Sequence, residues 1–261
     1  MTDLTDLTGR TAVVTGGATL IGHGVVRTLR SAGADVVVVD IDDEGANAIV
    51  AELGDGVSYR HLDVTNTDEL ERLVGDLYGL DVLVNLAATY LDEGSETPRD
   101  DWLTALNVNL VSAVELARVA RPKLAESGHG AIVNFTSISS KVAQTGRWVY
   151  PACKAAMVSV TRSMAMDYAG DGIRVNSVSP GWTWSKIMDE LSQHNRDKTD
   201  AVAAPFHFTG RVGDPDEVGR IVAFLASDAA SVVTGADWAA DGGYSAMGPE
   251  QAIPAIPKLM E

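Results

Sequence analysis

Short apolar runs alternate with amphipathic stretches along most of this 261-residue chain. The runs are rich in valine, alanine and isoleucine and are bounded by polar turns, which is typical of buried strands. The stretches between them place apolar residues at the three- and four-residue spacing of one helix face. We predict strands at 11–15, 34–40, 57–62, 81–86, 131–136, 174–178 and 236–240. We predict helices at 21–32, 42–53, 68–77, 101–126, 149–168 and 215–225.

Nearly continuous apolar strands that alternate with helices indicate a parallel sheet that is covered on both faces. Right-handed crossovers then give a doubly wound, Rossmann-type α/β fold of about seven strands, with ligands at the carboxyl ends of the strands. Because no linker or repeat interrupts the pattern, we interpret residues 1–261 as one domain. Two segments lie outside the alternation: a candidate substrate loop at about 182–212 and a proline-containing tail at 247–261, predicted to be extended.

Composition and charge narrow the class of protein. The chain is 46% hydrophobic and 6% aromatic, as a soluble globular protein is, and its net charge of −16 argues against binding to nucleic acid or an anionic membrane. Cys153 is the only cysteine, which excludes an intrachain disulfide and fits a reducing compartment. We expect Cys153 to be a buried helix residue and the protein to be cytoplasmic, with no transmembrane helix and no metal site.

A glycine-rich turn, Thr15 to Gly22, follows the first predicted strand and opens a helix. Such a turn presents free N–H groups to a pyrophosphate, and its glycines let the backbone approach closely. The second strand ends at Asp40, whose carboxylate can accept hydrogen bonds from adenosine ribose hydroxyls and would repel a 2′-phosphate. No lysine or arginine lies in the turn or directly after the second strand, so NAD is predicted over NADP. The alternative for Asp40 is a helix N-cap.

Tyr150 is followed four residues later by Lys154 and preceded by Ser137. Residues at this spacing share a helix face, so the ammonium is expected to lower the pKa of the phenol towards that of a general acid or base. Burial of the phenol acts in the opposite direction. The pair is also compatible with an ordinary contact on a helix surface. Pro151 is tolerated only in the first turn of that helix.

Together these features resemble the shorter branch of the short-chain dehydrogenase/reductase family, over about residues 7–245. The chain departs from the family pattern at Leu20, where the turn usually has a glycine, at Leu86 and Ala88, and at Pro151. The motifs that carry the resemblance are Thr15–Gly22, Asp63-Val64, Asn85-Leu86-Ala87-Ala88, Asn109, Ser137, Tyr150 with Lys154, Pro180-Gly181 and Asp241-Gly242-Gly243.

The resemblance implies a role for each matching residue. Tyr150 would exchange a proton with the substrate oxygen, and Ser137 would hydrogen-bond that oxygen. Lys154 would lower the pKa of Tyr150 and bind the nicotinamide ribose, and Asn109 would hold a water that links Lys154 to solvent. Besides Tyr150 and Lys154, the expected cofactor contacts are Gly16, Thr19, Leu20, Ile21, Gly22, Asp40, Ile41, Asp63, Val64, Asn85, Ala87, Pro180, Gly181, Thr183 and Ser185.

These residues predict an NAD-dependent oxidoreductase that interconverts a secondary alcohol and a ketone. Two alternatives are a 3-oxoacyl-carrier-protein-type ketoreductase, which commonly favours NADP and needs a basic surface, and a non-catalytic NAD-binding regulatory protein. The resemblance also implies a homotetramer formed through the two long helices. A largely apolar pocket for a cyclic or medium-sized substrate is expected from Ser139, Gln144, Trp148, Trp182, Trp184, Ile187, Met188 and Phe206.

Overall fold

A computed structural model describes residues 5–249, 251 and 256–260. Within these residues, seven strands form one parallel sheet with the order β3-β2-β1-β4-β5-β6-β7. The strands are β1 (Thr11–Thr15), β2 (Asp35–Asp40), β3 (Val57–His61), β4 (Val82–Asn85), β5 (Ala131–Phe135), β6 (Arg174–Pro180) and β7 (Asp237–Ala240). The helices are α1 (Leu20–Ser31), α2 (Asp43–Leu53), α3 (Thr67–Asp76), α4 (Arg99–Leu106), α5 (Ser112–Ser127), α6 (Val149–Tyr168), α7 (Lys186–Leu191), α8 (Arg196–Ala203) and α9 (Pro215–Ala226).

The sheet is buried because helices cover both of its faces. One face packs against α1, α2 and α9, whose core residues include Val25, Ile49 and Val222. The opposite face packs against α3, α5 and α6, with core residues that include Leu70 and Leu116. The predicted doubly wound α/β fold is therefore confirmed. The interpretation of the chain as a single domain stays a prediction.

The position of β1 determines where a ligand can bind. β1 lies between β2 and β4, and Val13 pairs with Val37 on one side and Leu83 on the other. The winding of the chain reverses at this point, so a crevice opens beyond the carboxyl ends of β1 and β4. The glycine turn after β1 lies at that end of the sheet.

The helix predicted at 101–126 is longer than expected and is interrupted. It runs from Arg99 to Ser127, and the π-helical segment Asn107–Val111 separates α4 from α5. By length and composition alone this helix could cross a membrane, a test that core helices of globular proteins also pass. In this fold it covers the sheet, and 39% of its most apolar window is buried inside the protein.

The two segments outside the alternation contain more helix than the sequence indicated. The candidate substrate loop includes α7 and α8, followed by a single 3-10 turn at Ala204–Phe206. The predicted extended tail is wrong at Ile256–Met260, which forms a 3-10 helix. Pro257 is tolerated there because the first N–H groups of a helix have no partner within it. Residues 250, 252–255 and 261 of the tail lie outside the described residues.

Candidate active site

Glycine is required at two positions of the turn after β1. Gly16 has a φ of +69°, and a Cβ on it would lie 2.7 Å from the backbone nitrogen of Ala87. A Cβ on Gly22 would lie 2.4 Å from the carbonyl oxygen of Gly16. The Thr19 hydroxyl accepts a hydrogen bond from the Gly22 N–H at 3.0 Å, as an N-cap of α1. The turn therefore closes tightly and leaves the start of α1, with Leu20 and Ile21, as an anion site.

Asp40 fixes this turn to the end of β2. One carboxylate oxygen accepts from the N–H of Ala18 at 3.0 Å, and the other accepts from Ile41 and Asp42 at 2.8 and 3.1 Å. The N-cap of α2 is Asp42, whose side chain accepts from the N–H of Glu44. The alternative interpretation of Asp40 as a helix N-cap is therefore wrong.

A cleft of about 990 Å³ opens beside Asp40 and the glycine turn. A cleft of this size can hold a large organic ligand. The predicted cofactor residues that line it are Gly16, Thr19, Asp40, Ile41, Asp63, Val64 and Ala87. Sequence reasoning missed further lining residues on the long helix, because nothing in the sequence marks which face of that helix meets the cleft: Leu103, Thr104, Leu106, Asn107, Val108 and Val111. It also missed lining residues at the ends of three strands: Val39, Leu62, Thr65, Ala88 and Thr89.

Asn85 ends β4 and lines a separate small cavity beside Ala87, not the cleft itself. Its amide nitrogen donates to the side chain of Asn134 at 2.9 Å, whereas its side-chain oxygen is buried without a hydrogen-bond partner. The tight glycine turn, the Asp40 carboxylate and this buried acceptor fit a dinucleotide, which offers a pyrophosphate and hydroxyl donors. The residues present are therefore compatible with the nicotinamide dinucleotide expected from the sequence.

The remaining cofactor candidates follow β6. Pro180 ends the strand, and a Cβ on Gly181 would lie 2.8 Å from the Cα of Asp241, so the backbone passes very close there. The Thr183 side chain is buried, and its hydroxyl donates to the carbonyl of Gly181 at 3.5 Å. Ser185 acts as the N-cap of α7, so its hydroxyl already has a structural partner.

Three of the four predicted catalytic residues, Ser137, Tyr150 and Lys154, lie together beyond the end of β5. Tyr150 lies in the first turn of α6, and its phenol lies beside the side chains of Ser137 and Tyr90. The Lys154 ammonium donates to the carbonyl of Phe135 at 2.9 Å and lies 5.5 Å from the centroid of the Tyr150 ring. Cys153, between them, is fully buried as predicted. Pro151 occupies the first turn, where it was expected.

Burial is the main cause of the pKa shifts of Tyr150 and Lys154. Burial raises the pKa of the Tyr150 phenol well above its usual value near 10; the neighbouring Tyr90 adds to this, and the Ser137 side chain opposes it. Burial also lowers the pKa of Lys154 to about 8. The predicted lowering of the Tyr150 pKa by Lys154 is therefore not found. The reason is that both groups are desolvated, and the ammonium is directed at the carbonyl of Phe135.

Asn109 lies in the π-helical segment and is buried. Its side-chain oxygen accepts from the N–H of Thr89 at 2.7 Å, and its amide nitrogen donates to the Thr89 carbonyl at 2.9 Å. The Asn109 amide thus holds the segment that follows β4. Its expected role in holding a water near Lys154 stays a prediction.

The predicted substrate residues form two groups. In one, the Ser137 hydroxyl donates to Ser139 at 3.2 Å, and Ser139 donates to the side-chain oxygen of Gln144 at 2.6 Å. In the other, the rings of Trp182 and Phe206 lie 5.9 Å apart.

The remaining substrate candidates have other surroundings. The Trp184 ring packs under the guanidinium of Arg196 at 5.0 Å, and the Met188 N–H bonds to Ser185. Trp148 and Ile187 are more than half exposed. Of the predicted substrate residues, only Ser139 and Gln144 are thus connected to Ser137 by side-chain hydrogen bonds.

Three residues near Tyr150 were missed by the sequence interpretation. The Tyr90 ring lies 5.0 Å from that of Tyr150, and the Arg147 guanidinium lies 6.0 Å from the same ring. The Asp92 carboxylate accepts from the backbone N–H of Tyr150 at 2.9 Å. Tyr90 and Asp92 follow β4, far from Tyr150 in sequence, so no local pattern could have identified them.

The cleft lies at the switch point of a parallel sheet, and the same fold brings together a buried tyrosine, serine and lysine that do not themselves line the cleft. This combination is typical of nucleotide-dependent α/β oxidoreductases. A family model described as enoyl-(acyl carrier protein) reductase matches residues 16–245. The chain belongs to the short-chain dehydrogenase/reductase family, as the resemblance predicted. It is an oxidoreductase of a family that generally uses nicotinamide cofactors.

Individual relatives cover nearly the whole chain. It is 38% identical to cis-4-hydroxycyclohexanecarboxylate dehydrogenase of Sinomonas cyclohexanicum, over 91% of this chain and 97% of that protein. It is 35% identical to meso-2,3-butanediol dehydrogenase of Serratia marcescens, over 91% and 95% of the two chains. The crystal structure of gox2181 superposes on it with a TM-score of 0.84 and 34% identity, covering 93% and 98% of the two chains.

Proposed function

We propose that the protein is an NAD-dependent oxidoreductase that interconverts a secondary alcohol and a ketone by hydride transfer. The observation that carries the proposal is the buried Tyr150 phenol, beside Ser137 and close to Lys154, at the carboxyl end of β5. A purely structural tyrosine does not need a buried ammonium beside it, because burying the ammonium costs free energy that a cation–π contact with the ring returns only in part. A proton-transfer site explains why all three groups are held there.

The cofactor supplies the hydride chemistry, and the protein supplies binding, orientation and electrostatics. The turn from Gly16 to Gly22 would hold the pyrophosphate, and Lys154 would hold the nicotinamide ribose. Asp40, whose carboxylate lines the cleft, would hold the adenosine ribose. NAD is favoured over NADP because a 2′-phosphate would meet that carboxylate, with Asp42 and Asp43 directly after it.

Tyr150 would give a proton to the carbonyl oxygen in reduction, or take one from the hydroxyl in oxidation. Ser137 would orient the same oxygen by a hydrogen bond. Burial opposes the phenolate that would remain once the proton leaves, whereas the Ser137 side chain favours it. The preference for NAD supports oxidation as the working direction.

A cyclic or medium-sized secondary alcohol is the substrate class that we favour. The similarity to dehydrogenases named for a hydroxycyclohexanecarboxylate and for a butanediol supports it. Ser139 and Gln144 offer polar contacts next to Ser137, and the Trp182–Phe206 pair offers an apolar wall. We further propose a cytoplasmic homotetramer, by analogy with the family.

The second candidate is a 3-oxoacyl-carrier-protein-type ketoreductase. The description of the matching family model, enoyl-(acyl carrier protein) reductase, is the observation that favours it. The net charge of −16 opposes it, because an acidic carrier protein would be repelled. A non-catalytic NAD-binding protein is the remaining alternative, and the same assay separates all three.

The test is NADH production from NAD across secondary alcohols, cyclic alcohols and vicinal diols. Tyr150→Phe should abolish turnover while NAD still binds, because the ring is kept and only the proton-transfer group is lost. Tyr78→Phe, at a fully exposed position, is the matched control and should keep wild-type turnover. Turnover of a 3-oxoacyl thioester with NADPH alone would favour the ketoreductase. NAD binding without turnover of any substrate would favour the non-catalytic alternative.

A further inference from the structure

Residues 86–97, which follow β4, are called the β4 loop below. The Asp92 carboxylate of this loop contacts the start of α6, the helix that carries Tyr150 (the catalytic helix). One Asp92 oxygen accepts from the backbone N–H of Trp148 at 2.9 Å. The other accepts from the N–H groups of Trp148 and Tyr150, at 3.0 and 2.9 Å. Asp92 also accepts from the N–H of Gly94 at 3.2 Å within its own loop. The carboxylate therefore joins the β4 loop to the first turn of α6.

Helix α6 has no cap from its own sequence. The first N–H groups of a helix lack partners within it and are usually satisfied by the side chain of the N-cap residue. In α6 that residue is Trp148, whose side chain makes no capping hydrogen bond. Asp92, 58 residues before Tyr150, takes this role instead, and its negative charge faces the positive end of the helix dipole.

The charge state of Asp92 agrees with this role. Burial acts to raise the pKa of Asp92, but hydrogen bonds from the N–H groups of Trp148, Tyr150 and Gly94 outweigh it and hold the pKa below its usual value. The carboxylate is thus ionised at neutral pH. A charged acceptor makes stronger hydrogen bonds than a neutral one.

The same loop touches the catalytic group at two further points. Asn109 holds Thr89 by two hydrogen bonds, which fixes the loop to the π-helical segment. The next residue, Tyr90, places its ring 5.0 Å from that of Tyr150. Since Asp92 lies only two residues further, the loop is anchored on both sides of its contact with the phenol.

We propose that Asp92 is a positioning residue for Tyr150: it caps the catalytic helix from the β4 loop and so sets the place and burial of the phenol. The inference rests on the proposed function of Tyr150. Asp92 itself contacts neither substrate nor cofactor in this proposal. Asp92 acts through the backbone N–H of Tyr150, whose side chain carries out the proton transfer.

The experiment compares Asp92→Ala and Asp92→Asn with Glu93→Gln. Alanine removes the acceptor, asparagine keeps one acceptor oxygen without the charge, and the neighbouring exposed Glu93 controls for loss of a charge in the same loop. The measurements are kcat and KM for the best alcohol, the dissociation constant of NAD, and the pH–rate profile. The ionisation of Tyr150 is followed as the difference in tyrosinate absorbance from Tyr150→Phe.

In Asp92→Ala, kcat should fall by about tenfold to a hundredfold, because small displacements of a catalytic group have effects of this size. The dissociation constant of NAD should stay within about twofold, since Asp92 does not line the cleft. The pKa of Tyr150 should fall, because a loosened first turn admits water to the phenol. Asp92→Asn should be intermediate, and Glu93→Gln should match the wild type.

A kcat and a pH–rate profile in Asp92→Ala that match Glu93→Gln would overturn the inference, even if the variant were less stable. If Asp92→Ala does not fold, Asp92→Asn decides: a shifted profile supports the inference, and an unchanged one overturns it. The proposed function fails separately, if Tyr150→Phe keeps full turnover. Loss of turnover in Tyr150→Phe together with full activity in both Asp92 variants would refute the inference alone.

Discussion

Lys154→Met should make the protein inactive and, at neutral pH, more stable. The Lys154 side chain is fully buried, and burial lowers its pKa from the ordinary 10.5 to about 8. A shift of about 2.5 units corresponds to about 3 kcal/mol of lost stability when the group is charged in the folded state. Methionine removes the cost of burying a charged side chain. It also leaves the Phe135 carbonyl without its hydrogen-bond donor, which costs about 1 kcal/mol. The net gain is about 2 kcal/mol.

The pH dependence of the free energy of unfolding distinguishes the loss of the buried Lys154 charge from a change in packing alone. The folded-state pKa is depressed, so between about pH 8 and 10.5 the unfolded chain binds more protons than the folded one. Wild-type stability therefore rises with pH through that window, and the advantage of Lys154→Met shrinks. Below about pH 8 the advantage is constant, because Lys154 is protonated in both states.

The assay is urea unfolding of the wild type and Lys154→Met at a series of pH values, with turnover measured in parallel. Lys198→Met, at an exposed position, is the matched control and should leave the pH dependence unchanged. A Lys154→Met protein that is less stable than the wild type at neutral pH would refute the reasoning. So would a stability difference that does not change as the pH rises.

Three further outcomes are expected. Asp40→Asn should raise kcat/KM with NADP by about tenfold and lower it with NAD, because one like charge is removed from the cleft; unchanged ratios in steady-state kinetics would contradict the assignment. Alcohol oxidation should accelerate as pH rises towards the raised pKa of Tyr150, whereas ketone reduction should not, as initial rates in both directions would show. Gly16→Ala should destabilise the protein by about 2–4 kcal/mol in urea unfolding and weaken NAD binding, because its Cβ would lie 2.7 Å from the Ala87 nitrogen at a positive φ.

Local sequence patterns were sufficient for the fold and for placing Tyr150 beside Lys154. Hydrophobic periodicity depends on neighbours along the chain, so the strands and the faces of the main helices could be read directly. Tyr150 and Lys154 lie on one helix, and their spacing alone placed them together. The glycine turn was predictable because Gly16 must adopt a positive φ.

The features that sequence reasoning missed depend on contacts between distant segments. Asp92 reaches α6 from the β4 loop, and nothing near Trp148 indicates that its helix is capped from outside. The side chain of Asn109 holds Thr89 because a π-helical segment interrupts the long helix, an irregularity that periodicity does not encode. The ionisation of Tyr150 was misjudged because its burial depends on the packing of the β4 loop around it.

The central claim is that Tyr150, which lies beside Ser137 and Lys154, carries out proton transfer in NAD-dependent alcohol oxidation. The most direct test is NADH formation by the wild type and Tyr150→Phe with the best alcohol from the panel, with NAD binding measured on the same samples. We predict turnover in the wild type, none in Tyr150→Phe, and equal affinity for NAD in both. Full turnover by Tyr150→Phe, or no turnover by a wild-type protein that binds NAD, would contradict the claim.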